Sequence, residues 1–168
     1  MNADDLRALQ APLKDRYRES PGAAQITLRA EGTIGENLTC SVATGHALIE
    51  AGLHPATGGN GLSACSGDML LQALVACAGV TLNAVATAIG VELKDARIEA
   101  EGILDFRGTL GVSKEAAVGF SDIQLRFHLS ANASDEELAT LLRLTERYCV
   151  VFQTLSKPPK LSAAIARD

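Results

Sequence analysis

Two cysteines stand in long apolar segments with helical spacing, far apart in the chain. Cys77 lies in Leu70-Leu71-Gln72-Ala73-Leu74-Val75-Ala76-Cys77-Ala78-Gly79, and Cys149 in Thr145-Glu146-Arg147-Tyr148-Cys149-Val150-Val151-Phe152-Gln153. A thiol buried among apolar side chains is ordinarily inert, because burial disfavours the thiolate that does the chemistry. Two such thiols, one per helix, can instead be a pair that reduces peroxides. Helical spacing puts Leu70, Ala73, Leu74, Thr81 and Ala84 around Cys77. Reactivity at that sulfur therefore needs a cation or hydrogen-bond donors brought in from another segment. Cys40, inward-facing on a strand, and Cys65, just before the first cysteine helix, read as small structural residues.

Other chemistries find less support. His46 and His54 flank the loop before that helix, but there is no Cys-x-x-Cys or His-x-x-x-His spacing, so no metal and no cofactor is expected. No nucleophile-elbow motif supports a Ser/His/Asp hydrolase. With 15 basic against 20 acidic residues the net charge is -5, and no Lys/Arg cluster is present, which argues against nucleic acid as a partner. Aromatics make up 4% of the chain and Trp is absent, which disfavours base-stacking platforms. Met1-Asn2-Ala3-Asp4-Asp5 is acidic and polar, which predicts no signal peptide and a cytoplasmic location, where thiols stay reduced. Residues 69–91 carry no charge over a length that could span a bilayer. Gln72, Thr81, Asn83 and Thr87 interrupt the run and Ala dominates it, so it reads as a helix buried on nearly all sides, with no membrane involved.

The elements that must position the cysteines follow from periodicity and turn residues. The chain length fits one domain. Leu6, Leu9, Leu13 and Tyr17 form a helical stripe over 2–19, with Pro12 expected to split it or to start a second helix. Ile26, Leu28 and Ala30 alternate as a strand; a turn at 32–37 and the alternation Leu38, Cys40, Val42 complete a hairpin, with 46–50 extended. A Gly-rich loop over 52–61 leads to Ser66, the expected N-cap of the first cysteine helix, which Gly90 ends. Strands follow near 97–107 and 122–129. Ser134 and Glu137 form a capping box for a helix whose stripe is Leu138, Leu142, Thr145, Cys149 and Phe152. Pro158-Pro159 stops it, and 161–165 reads as a last short strand.

Ser66-Gly67-Asp68-Met69-Leu70-Leu71-Gln72-Ala73-Leu74-Val75-Ala76-Cys77 and Glu146-Arg147-Tyr148-Cys149-Val150-Val151 resemble the paired cysteine helices of the OsmC/Ohr family of thiol peroxidases, in the OsmC-like branch. The Gly-rich loop and the order of strands and helices match as well. The resemblance covers roughly residues 23–166, which implies an N-terminal helical extension over 1–22 and an OsmC-like domain over 23–168. It implies an α/β (α+β) fold, with two antiparallel-rich sheet units around two long central helices, in an interlocked homodimer. It also implies that Cys77 attacks an organic hydroperoxide and becomes a sulfenic acid, and that Cys149 resolves it as a disulfide. An external dithiol, such as a lipoyl protein, then restores the pair. An apolar pocket around Cys77 would favour fatty or aromatic hydroperoxides.

Family members with peroxidase activity pair the attacking cysteine with an arginine from the N-terminal hairpin, held by an acid early in the cysteine helix. Here Asp68 stands nine positions before Cys77, and the turn Gly32-Thr33-Ile34-Gly35-Glu36 holds no arginine. Arg29 is the nearest basic residue, with an outward strand position. Val150-Val151 follows Cys149 where strong peroxidases have Cys-Pro. The alternative reading is a non-catalytic OsmC-like dimer that binds an apolar ligand or senses oxidants through its thiols.

Overall fold

In a computed structural model, which describes residues 3–34, 40–42, 51–165 and 167, the charge-free segment is a helix, α2 (Ser66–Ile89). Its ends have local causes. Cys65, rather than Ser66, takes the N-cap position and contributes no side-chain hydrogen bond; Asp68 lies in the first turn. At the other end Gly90 adopts φ 76, and its N–H returns to the carbonyls of Ala86 and Thr87. That left-handed conformation favours glycine, so the helix stops where the sequence says it should.

α2 lies across one antiparallel sheet. The strands β1 (Gln25–Ile34), β2 (Cys40–Val42), β3 (Leu93–Asp105) and β4 (Phe120–Ala131) pair in the order β2-β1-β3-β4, so both expected runs of strands join in the same sheet. On β3 the buried residues alternate, Ala96, Ile98, Ala100, Gly102 and Leu104, and this face meets α2 through Leu71, Leu74, Val75 and Ala78. A strand with one buried face has its register set by that alternation. Gly102 has a further reason to be glycine: a Cβ there would come within 2.4 Å of the Phe120 ring. The missing side chain is what lets Phe120 lie over the strand.

Two helices finish the packing. α4 (Asp135–Tyr148) opens with the expected capping box: Ser134 Oγ accepts the Glu137 N–H at 3.3 Å, and Glu137 accepts the Ser134 N–H at 2.8 Å. Its Leu141 is fully buried against Leu82, Val85 and Ala86 of α2. α5 (Val150–Ser156) continues after a break at Cys149. A short α3 (Phe106–Thr109) follows β3.

α1 (Ala3–Glu19) is one helix, not the two pieces expected at Pro12. Pro12 and Ala8 are both exposed, so the Ala8 carbonyl that loses its helical partner can bond to water. Leu13 and the fully buried Tyr17 join the main core. The Tyr17 hydroxyl donates to the Ala56 carbonyl at 2.6 Å and Gln10 donates to the Thr57 carbonyl at 3.3 Å. Both bonds fasten α1 to the 3-10 turn Pro55–Thr57 on the way into α2.

Three further expectations meet the structure differently. Residues 161–165 are irregular rather than a strand, with Leu161 and Ile165 exposed and no ladder partner among the described residues. The extension at 46–50 lies outside the described residues, as does most of the hairpin turn. α2 has the length and hydropathy of a membrane span, yet it is not buried on nearly all sides. One face packs on the sheet and α4, while Leu70, Ala73, Val80 and Thr87 on the other are exposed in the single chain.

Replacing Gly102 with Ala should cost about 1–3 kcal/mol, the range for overpacking a filled core. Denaturant unfolding of the two proteins measures it; a midpoint equal to the wild type would mean that the Phe120 ring moves aside freely.

Candidate functional site

Cys77 sits mid-way along α2, half-buried, on the flank where the α4–α5 junction crosses. Cys149 is fully buried at that junction, with φ -71 and ψ 108, outside both helices. The sequence placed it mid-helix. The break has a consequence for hydrogen bonding, since the first N–H groups of a helix have no partner within it. Phe152 N–H donates to Cys149 Sγ at 3.5 Å, and the backbone of Val150 and Val151 at the start of α5 acts to lower the Cys77 pKa. The start of α5 thus lies against the two sulfurs. The Cys149 thiol itself donates to Cys77, and the Thr81 hydroxyl reaches the same atom from one turn further along α2. The two cysteines, far apart in the chain, are in direct contact, and both are free thiols.

These contacts make the pair unequal. Burial pushes the Cys77 thiol up, but the Val151 N–H, the Cys149 thiol, the Val150 N–H and the Thr81 hydroxyl outweigh it and leave Cys77 below the ordinary thiol range. For Cys149 burial dominates: together with the negative charge favoured on Cys77, it pushes the thiol up to about 11, against the opposing Phe152 N–H. The two shifts run in opposite directions and favour ionisation of Cys77 over Cys149.

Of the two supporting residues named from the sequence, Asp68 does not join them. Nine residues of helix is two and a half turns, so Asp68 lies about 13 Å along the axis from Cys77 and on the opposite side of α2. Asp68 is half-buried instead near His54; burial raises its carboxyl pKa and the His54 charge opposes the rise. The backbone of Arg29 pairs in register with Glu101 of β3. His54 has a structural occupation: its Nδ1 accepts the Ala56 N–H at 3.0 Å and its ring stacks on Phe106 at 5.0 Å. His46 lies outside the described residues, and no metal-binding cluster occurs among those described. Cys65 is half-buried at the start of α2, and Cys40 lies in β2.

Two apolar grooves run between β4 and the helices. One of about 710 Å³ is lined by Leu125, Phe127, Leu129, Leu138, Leu142 and Phe152, among others. The other, of about 390 Å³, includes Leu74, Phe120 and Leu155. They share Leu125 and Phe152, and neither has Cys77 in its lining, so neither is the expected apolar pocket around that sulfur.

The residues that sequence reasoning missed are Thr81 as a donor and the amides of Val150 and Val151. Thr81 was legible as a helical neighbour of Cys77; the amides were not, because the apolar stripe runs straight through the break at Cys149.

The family model for OsmC-like proteins matches residues 58–163, more than half of the chain. Among solved structures the chain is similar to an OsmC-like hydroperoxide resistance protein from Jannaschia sp. CCS1, at 15% identity and a TM-score of 0.59, over 86% of this chain and 95% of that one. It is also similar to an OsmC-like protein from Mycoplasma pneumoniae, at 16% identity and a TM-score of 0.56, over 80% of this chain and 86% of that one. No curated protein matches the sequence.

Alkylation with monobromobimane, read by peptide mass, should label Cys77 well before Cys149. The Cys77 rate should rise with pH through a midpoint below the ordinary thiol range, whereas Cys149, whose burial pushes its thiol up, should label more slowly throughout. Equal labelling at neutral pH would contradict the asymmetry.

Proposed function

The chain belongs to the OsmC-like protein family, and on that premise we propose that it is a thiol-dependent peroxidase that reduces organic hydroperoxides through Cys77 and Cys149. The single observation that carries this reading is the contact between the two sulfurs, with the thiolate favoured on Cys77 and the proton held on Cys149.

The Cys77 thiolate attacks the terminal oxygen of ROOH; the S–O bond forms as the O–O bond breaks, and RO⁻ leaves and takes a proton to become the alcohol. Cys77 is then a sulfenic acid. With the negative charge gone from Cys77, one cause of the high Cys149 pKa is removed and the resolving thiolate forms more readily. It attacks the sulfenic sulfur, the disulfide forms, and water leaves. An external dithiol returns both thiols by exchange and is itself oxidised to a disulfide. A reducing compartment such as the cytoplasm suits this cycle.

The working unit in this proposal is a homodimer. The exposed stripe Leu70, Ala73, Val80 and Thr87 flanks the half-buried Cys77 and offers an apolar face for a second α2 to cover. A second reading, an apolar-ligand-binding protein or thiol redox sensor, is favoured by the 710 Å³ groove, whose lining omits Cys77.

Cumene hydroperoxide and dihydrolipoamide supplied together should be consumed by the wild type and not by Cys77→Ser. Cys149→Ser should complete at most one turnover and accumulate the sulfenic acid. No peroxide-dependent thiol consumption above the Cys77→Ser background would sink the enzyme reading in favour of the second one. Separately, Val80→Glu places a charge in the exposed stripe and should convert the dimer to monomer in sedimentation velocity; a monomeric wild type would refute the assembly.

A further inference from the structure

The last residues of the chain alternate. Leu161, Ala163 and Ile165 interleave with Lys160, Ser162 and Ala164, and Pro158-Pro159 before them favour an extended course. That is the pattern of a strand with one apolar face. Yet in the single chain 161–165 has no ladder partner among the described residues, and Leu161 is 84% and Ile165 91% exposed. No charge lies between Leu161 and Ile165, so burying this stretch desolvates no ion.

β4 has the complementary deficit. It ends the order β2-β1-β3-β4, and among the described residues nothing pairs with its outer edge. The groove of about 710 Å³ opens along that edge. Its lining takes in all of residues 125–129, so both faces of the strand border one cavity, which only a free edge permits. Opposite stand Leu138 and the exposed Leu142 of α4. Five residues of strand span roughly 17 Å, the same for 125–129 as for 161–165. An open edge beside an apolar groove is a template for a further strand.

The chain leaves α5 on the wrong side to fill its own groove. Lys157 and Pro159 border a pocket with Arg147, Tyr148 and Val150. Glu146 lines the groove, and Tyr148 stands about 200° around α4 from it. A strand without an edge and an edge without a strand thus occur in one chain and are turned apart, which two copies can satisfy mutually. We infer that segment 161–165 of one copy pairs with the β4 edge of a second copy and lays Leu161, Ala163 and Ile165 into the groove. So filled, the groove is closed to a free apolar ligand. The inference is independent of the chemistry of Cys77.

A benzophenone side chain at position 164 of the full-length chain, on the row turned away from the groove, should on irradiation give a covalent dimer on a denaturing gel. Peptide mass should map the link to β4 of the other copy. In the unmodified protein the amides of 161–165 should exchange at least about tenfold more slowly than in the same segment as a free peptide. Leu161→Asp should lower the yield of covalent dimer about tenfold, read at a concentration that half-saturates the chain without that change. Links confined within one chain, or to a site other than β4, overturn the proposal. Protected amides without a link to β4 mean that another surface holds the tail, and overturn it as well. A tail that exchanges as fast as the free peptide, in a chain whose groove binds an apolar dye, overturns it in favour of the ligand-binding reading.

Discussion

The start of a helix presents amides that must find acceptors outside it, and the start of α5 lies against two sulfur atoms. Much of the site follows from this constraint. Cys149 has to leave the helical conformation for Val150, Val151 and Phe152 to open a new helix, and in doing so it turns its thiol onto Cys77. α2 has to hold Cys77 against that junction, and it does so because its other flank is locked on β3 and α4. The acceptor that such donors prefer is an anionic one. The same bonds that complete the fold at this point therefore bias one sulfur toward the reactive form.

Helix ends and strand alternation were legible in the residues because their causes are local. Gly90 in a left-handed conformation, the reciprocal Ser134–Glu137 bonds, and the period-two pattern of 122–129 each depend on a few neighbours. The break at Cys149 was not legible. Leu138, Leu142, Thr145, Cys149 and Phe152 keep a helical stripe across it, so periodicity reports one helix where there are two. Pro12 misled in the opposite direction, since an exposed proline whose orphaned carbonyl meets water need not interrupt a helix.

The candidate site divides along the same line. That Cys77 and Cys149 meet was implied by family resemblance rather than by spacing, and the geometry brings them together. Asp68 was drawn from the same resemblance, and helix phase sets it apart from the pair. The stabilising donors were hidden for a physical reason: backbone amides have no sequence signature of their own. Apolar composition was equally mute about α2, whose exposed and buried stripes both draw on Leu, Val and Ala.

The strand β1 lies between β2 and β3, and Tyr17 of α1 is buried in the main core. Both precede residue 58, where the family match begins. The stretch by which this chain is recognised is therefore smaller than the stretch that must fold. Cut to residues 58–163, the chain would keep both cysteines and lose the strand that covers one side of β3, leaving a hydrogen-bonding edge open and a hole where the tyrosine ring had been. Homology and autonomy have different boundaries in this protein, and the two cysteines are packed in a core completed by residues outside the family match.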